Sequence, residues 1–300
     1  MSLKDYLKEK RKTLSDSSLT TYSSLLKSLY KRIWDGEVEP KKFKETKKVL
    51  AALKDVPPNK RKTTLSALVI ATGEDAYRDL MMNDIKEYNN TISRQEKSEA
   101  QERNWVTQEE VKEKYRELQK RADKLFKKGN LSSSEVQEIQ NYIILALLSG
   151  VHIAVRRSKD FVDFKIRNVD EDRDNYVSKN GKELVFNSYK TAKHYGTQRI
   201  ALPTKLRNVL KKWMTVNDSD YLLVDTKMNP LTGDAGNSTN GAVKLNQRLE
   251  KIFGKKVGVN GLRHSILTEK FGPQDEEMKK TMKEMGTSPD QLTTYVKKDD

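Results

Sequence analysis

The segment Ser134 to Leu148 reads SEVQEIQNYIILALL and ends in Ile143-Ile144-Leu145-Ala146-Leu147-Leu148. Six apolar residues in a row leave the last turns of a helix without a polar face, so this end belongs in a core. Beyond it the period shortens. Strand-like pieces are expected at Phe161–Ile166, Glu183–Phe186 and Gln198–Leu202, and Asn180-Gly181 is a turn signal between candidate strands. Helical spacing returns at Thr204–Trp213, Asn240–Phe253, Asn260–Phe271 and Glu276–Met285. The expected fold class is mainly α with a small antiparallel β-sheet.

Toward the N-terminus the pattern is helical throughout. Ser17-Ser18 precedes Leu19, Tyr22, Leu26, Leu29, Tyr30 and Ile33, an apolar stripe that begins after hydroxyl capping residues. Further helices are expected over Lys41–Leu53, ended by Pro57-Pro58, over Lys60–Thr72 with Gly73 as its stop, and over Ala76–Tyr88. Asn89 to Asn104 is polar and charged with no apolar face, which suits a linker. After Trp105-Val106, Thr107 and Glu110 have capping-box spacing. The chain is therefore expected to divide into a helical domain at 1–90, a linker at 91–104 and a second domain at 105–300. No internal repeat is evident.

Composition narrows the function. Lys and Arg number 58 against 43 Asp and Glu, a formal net charge of +15, which points to a polyanion such as nucleic acid. The apolar fraction is only 35%, but its periodic placement marks a folded chain. The absence of cysteine excludes disulfides, a thiol nucleophile and a thiolate zinc site. The three histidines, His152, His194 and His264, have no metal-ligand spacing, so no metal or other cofactor is expected. No apolar run approaches the ~18 residues of a membrane span. Met1 to Lys12 is charged and lacks the apolar core of a secretory signal, so the chain reads as soluble and intracellular.

Four short segments carry chemistry: Arg157-Ser158-Lys159-Asp160-Phe161, Lys190-Thr191-Ala192-Lys193, Asn260-Gly261-Leu262-Arg263-His264, and the late Tyr295. Metal-free phosphodiester chemistry needs a nucleophile that holds a phosphate covalently and fixed cations that stabilise the charge on it. This order of Arg, Lys on a strand connection, Leu-Arg-His on a helix and terminal Tyr resembles the catalytic domain of tyrosine recombinases, or phage-type integrases. The front half resembles that family's helical core-binding domain, so the resemblance spans nearly the whole chain. It implies a helical N-terminal core-binding domain followed by an α+β catalytic domain. The stretch Lys190–Gln198, with Trp105-Val106, looks most like divergent recombinases of eukaryotic mobile elements and large DNA viruses.

The resemblance also implies roles. Arg157 matches the first arginine of the family's G-x-R-x-x-E-L pattern and is chosen over Arg156 by its spacing to Asp160. Arg157 and Arg263 would clamp the scissile phosphate. Asp160 would orient Arg157 or cap local backbone. Lys190, with Lys193 as rival, would protonate the leaving 5′ oxygen, and Tyr295 would attack. Asn260 and Thr287 stand where the family places histidines or a tryptophan; both can hydrogen-bond a phosphate, and neither takes up a proton at neutral pH. His264 is a further candidate beside Arg263. The implied partner is double-stranded DNA, bound by a homo-tetramer that associates weakly without it, in a nucleus or a cytoplasmic viral factory. A type IB topoisomerase and a catalytically inactive DNA-binding member of the fold are the alternatives.

Overall fold

The computed structural model describes residues 2–233 and 236–296, excluding the side chains of Asp290 and Tyr295. It is mainly helical, with one three-stranded antiparallel sheet among the described residues. The chain divides into two compact units, Met1–Ser98 and Glu99–Asp300.

The first unit contains α1 (Leu3–Lys10), α2 (Asp16–Ile33), α3 (Thr46–Leu53), α4 (Pro58–Thr72) and α5 (Asp75–Ser93). Ser15, rather than Ser17 or Ser18, caps α2 and accepts the Ser18 N–H at 3.2 Å. The helix expected over Lys41–Leu53 is broken: a 3₁₀ turn at Pro40–Lys44 precedes α3, with Glu45 non-helical between them. Proline at the start of the turn fixes φ there, and Phe43 anchors it in the core. Gly73 does end α4, in the left-handed conformation at φ +77°. Leu26, Leu29, Tyr30, Phe43, Leu65, Leu68 and Tyr77 belong to one apolar cluster. Buried Asp84 is matched by a two-pronged pair from Arg61, at 2.9 and 2.7 Å.

The second unit begins with α6 (Glu99–Arg103), a short helix inside the stretch expected to be a linker. Next come α7 (Gln108–Leu125), opened by the Thr107–Glu110 capping box, and α8 (Ser133–Leu148), opened by Ser132 and Glu135. From Tyr142 to Leu148 every residue of α8 is buried, as its unbroken apolar run requires. The strands are β1 (Tyr176–Val177), β2 (Glu183–Phe186) and β3 (Gln198–Ala201), in the order β1-β2-β3. Gly181, at φ +67°, makes the turn that pairs Tyr176 with Val185, and β2 pairs Leu184 with Ile200.

Phe161–Ile166 is not a strand, although Lys165 bridges Tyr176 and Tyr221. Phe161, Val162 and Phe164 are all fully buried, so their side chains do not alternate between a core face and a solvent face. The rings of Phe161, Phe164 and Phe186 lie 5.4–5.6 Å apart as a packed trio. The chain then forms α9 (Ala192–Tyr195), α10 (Thr204–Val216), α11 (Ser238–Phe253), α12 (Val259–Glu284) and α13 (Leu292–Tyr295). The two helices expected between Asn260 and Met285 are one, because α12 runs through Pro273. Proline has no N–H to donate to Glu269, so the interruption is one missing backbone bond rather than a stop. No helix among the described residues is long and apolar enough to cross a membrane.

Glu135 provides a test of the α8 start. Its carboxylate is held down to about 2 from an ordinary 4.5, first by the Lys128 ammonium and then by the Ser132 N–H and hydroxyl. A depressed carboxylate stabilises the fold above its unfolded value and loses that contribution as pH falls through its folded one. In urea titrations from neutral pH down to about 2, a Glu135→Gln variant should start less stable than the parent and converge with it at the acid end.

Candidate functional site

The end of α8 sets the site. Ser149 is fully buried, and its hydroxyl accepts the Val151 N–H at 3.2 Å while Gly150 takes φ +80°. Ile266 of α12 lies directly over Gly150, with Val155 beside it, so a side chain there would have to displace the end of Ile266. This contact joins the segment leading to Arg157 with the helix that carries Arg263, one turn before Ile266.

Arg156 then ties the segment to the sheet. Its Nε donates to Asp160 Oδ2 at 3.0 Å and its Nη1 to Gln198 Oε1 on β3 at 2.6 Å. The guanidinium lies 3.9 Å from the Phe186 ring centre and 5.0 Å from that of Tyr189. Asp160, only 2% exposed, therefore pairs with the Arg156 side chain rather than with that of Arg157. Burial pushes the Asp160 carboxyl up, against the charge and hydrogen bond of Arg156 and, more weakly, the charge and backbone bond of Arg157. Arg157 is extended at φ −71°, ψ 151°, so its side chain leaves on the other side from that of Arg156. It is half-buried and has no hydrogen-bonded or ion-paired side-chain partner among the described residues. The 3₁₀ turn Ser158–Asp160 packs on α11, where Lys159 donates to Thr239 at 2.8 Å.

Lys190 lies on the connection between β2 and β3, two residues before α9. It is exposed and likewise has no partner among the described residues; Lys193 and His194 on α9 are exposed too. The backbone before Lys190 is firmly fixed. Asn175, 3% exposed, donates to the carbonyls of Asp160 (3.0 Å) and Ser188 (2.8 Å) and accepts the N–H groups of Asn187 (2.9 Å) and Ser188 (2.8 Å). Tyr189 donates its hydroxyl to Gly196 at 2.7 Å.

Arg263 is half-buried on α12, and its Nη1 donates to Asn260 Oδ1 at 3.4 Å, one turn earlier. His264 is exposed, while the neighbouring Ser265 is buried and accepts from Gln108 at 3.0 Å. At the far end of α12, Thr287 N–H bonds the Met282 carbonyl at 2.9 Å and Gly286 adopts φ +70°. This left-handed step ends the helix and leads through Pro289–Gln291 to α13, whose last residue is Tyr295. The Tyr295 side chain lies outside the described residues.

The elements bearing Arg157, Lys190 and Arg263 are thus linked by direct contacts within the second unit. None of the three cations forms an ion pair among the described residues, although Arg157 lies near enough to Asp160 for its charge to favour the ionised carboxyl. Two clefts, of about 570 and 500 Å³, lie elsewhere. The second is lined in part by Tyr115, Tyr142, His152 and Lys205. His152 Nε2 is 2.7 Å from the Tyr115 hydroxyl, and burial, helped by Lys205, pushes its pKa down. Among the described residues no group of three His, Asp or Glu could hold a metal. In the first unit, Lys41, Lys44, Lys47 and Lys60 are exposed, whereas Arg61 is taken up by Asp84 and Lys62 lies over the Tyr88 ring. Arg156, Gln198 and Asn175 were not found by sequence reasoning. The Arg156-Arg157 doublet was the only available signal, and nothing distinguishes Asn175 from other asparagines before the chain is folded.

The Gly150 contact is testable by adding one methyl group. Gly150→Ala should cost about 1–2 kcal/mol, chiefly through strain at positive φ, with the end of the Ile266 side chain displaced to admit the methyl group. Urea denaturation of the full chain measures it, and a loss under about 0.5 kcal/mol would contradict the close packing.

No protein-family model matches this chain, and no curated protein sequence does. Among solved structures it is similar to one described as the crystal structure of XerA recombinase. The likeness has 15% sequence identity and a TM-score of 0.32, and covers 99% of this chain and 94% of that one.

Proposed function

We propose that this protein cuts and rejoins DNA as a tyrosine recombinase, through a 3′-phosphotyrosine intermediate that needs neither metal nor ATP. The observation that carries this reading is the contact-linked set of elements presenting Arg157, Lys190 and Arg263 without an ion pair among the described residues. Arg156 and Arg61, by contrast, are each paired with a buried carboxylate. Three unpaired cations on neighbouring elements of a +15 chain suit a phosphodiester.

In the proposed reaction, Arg157 and Arg263 each bind non-bridging phosphate oxygens, with their charge offsetting that developing in the transition state. Asn260 accepts from Arg263 through Oδ1, leaving its amide N–H groups to donate to the phosphate. Thr287 offers a hydroxyl. The Tyr295 oxygen forms a bond to phosphorus as the bond to the 5′ oxygen breaks, and Lys190 gives that oxygen its proton. The phosphotyrosine retains the energy of the diester, so attack by a 5′ hydroxyl reverses the step. Asn260 and Thr287 take up no proton, so the phenolic proton leaves to solvent, with the arginines favouring the phenolate. Exchange of strands between two duplexes calls for four copies on DNA, and the exposed lysines of the first unit add contacts to the phosphate backbone.

A nicked suicide duplex, which traps the covalent complex, tests this directly. Tyr295→Phe should abolish the adduct while leaving DNA binding intact; an adduct that survives removes Tyr295 from the mechanism. Arg157→Ala and Arg263→Ala should each lower the cleavage rate by about 10²–10³-fold. Relaxation of supercoiled plasmid at any site by a monomer would instead indicate a topoisomerase.

The pH profile checks the proton path. If solvent takes the phenolic proton, the cleavage rate should climb steadily with pH through the neutral range. It should level off only in the alkaline range, below the ordinary phenol value of about 10, because the arginines favour the phenolate. Levelling near about 6.5 would mean that a histidine, with His264 the nearest in sequence, acts as base.

A further inference from the structure

We infer that Arg156 and Asn175 are positioning residues that lock the Lys190-bearing connection onto the Arg157 segment, setting the distance between the phosphate clamp and the proton donor. The inference rests on the proposed function and extends it to residues that do not touch the phosphate.

The two residues grip the same connection from its two sides. Arg156 reaches from the residue just before Arg157 to Gln198, at the end of the connection, and covers Tyr189, immediately before Lys190. Asn175 binds Ser188 through both its N–H and its carbonyl, and the same side-chain amide holds the carbonyl of Asp160. Asp160 in turn receives the Arg156 Nε. The loop is closed: Arg156 to Asp160, Asp160 to Asn175, Asn175 to Ser188, and Tyr189 back under Arg156.

Asp160 and Asn175 are buried, Arg156, Tyr189 and Gln198 half-buried, and every hydrogen-bonding position of the Asn175 amide is filled. Lys190 is a flexible side chain on an exposed turn, and among the described residues its ammonium has no partner to hold it in place. What reach it has toward the phosphate at Arg157 is decided by where its backbone starts, and these bonds fix that start.

Arginine is required at 156 for geometric reasons. Its planar fork directs one N–H to Asp160 and another to Gln198 while its face lies on Phe186. Lysine supplies the charge without the fork or the flat face. A purely electrostatic role would tolerate the exchange; a positioning role would not.

The test compares full-length parent, Arg156→Lys and Asn175→Ala by two measurements. Hydrogen–deuterium exchange should quicken in residues 187–198 of both variants, because the Asn187 and Ser188 amides lose their acceptor or its support. Single-turnover cleavage of the suicide duplex should fall about 10²-fold at saturating DNA, with the half-saturating concentration nearly unchanged. Asn175→Ala removes four hydrogen bonds from a buried side chain and endangers folding, so the milder Arg156→Lys carries the decision if the former unfolds.

Unchanged exchange in that segment, or a cleavage loss that saturating DNA restores, would overturn the inference. If the parent itself forms no adduct, the proposed function falls, and the exchange measurement alone then decides whether these residues hold the connection.

Discussion

A carboxylate at Asp160, 2% exposed, stays inside the second unit only with a cation and hydrogen bonds at its side. Arg156 supplies both, at 3.0 Å. Such a pair is a weak source of net stability, because desolvating two ions consumes most of their attraction. Its value lies in direction. The Asp160 carboxylate fixes the Arg156 fork, the fork reaches β3 and the rings of Phe186 and Tyr189, and the extended backbone turns Arg157 the opposite way. One arginine of the doublet is committed to structure so that the other can remain free.

The same division of labour recurs across the molecule. Arg61 spends its charge on buried Asp84, and Arg248 reaches Gln137 and Asn141 from a position where burial disfavours its charged form. Arg157, Lys190 and Arg263 form no ion pair with a carboxylate among the described residues, although the Arg157 charge is felt by Asp160. A free cation at a partly buried position costs desolvation without recompense in the isolated protein. In the proposed function, that cost at Arg157 and Arg263 is recovered when a phosphate binds them.

Much of the fold was legible because local and tertiary demands agree. The apolar run Ile143–Leu148 has only one destination, the Thr107–Glu110 and Gly73 signals act through backbone groups next to them, and Asn180-Gly181 needs only a turn. The readings failed where burial overrode period. Phe161–Ile166 has the residues of a strand, yet its rings fill a three-dimensional cluster that no local pattern encodes. Pro273 reads as a break between helices, yet it costs α12 one bond and the helix continues. At the site, the order of Arg, Lys, Arg and Tyr along the chain was readable, as was the arginine doublet. Which member of the doublet Asp160 would take was not, since both lie within reach along the sequence and the rings of Phe186 and Tyr189 decide between them. Asn175 was invisible for the same reason: its four partners span residues 160 to 188 and meet only after folding.

The arrangement also bears on the missing proton acceptors. A histidine at position 260 would bring a second titratable group beside Arg263, whose charge would disfavour its protonation. Asn260 avoids that conflict: its carbonyl oxygen takes the Arg263 N–H at 3.4 Å whatever the pH, and its amide hydrogens remain donors. Proton uptake is thereby separated from phosphate binding. Charge stabilisation by fixed arginines is independent of pH across the physiological range, whereas loss of the phenolic proton is not. In the proposed chemistry, the clamp is always ready and the nucleophile alone sets the pace.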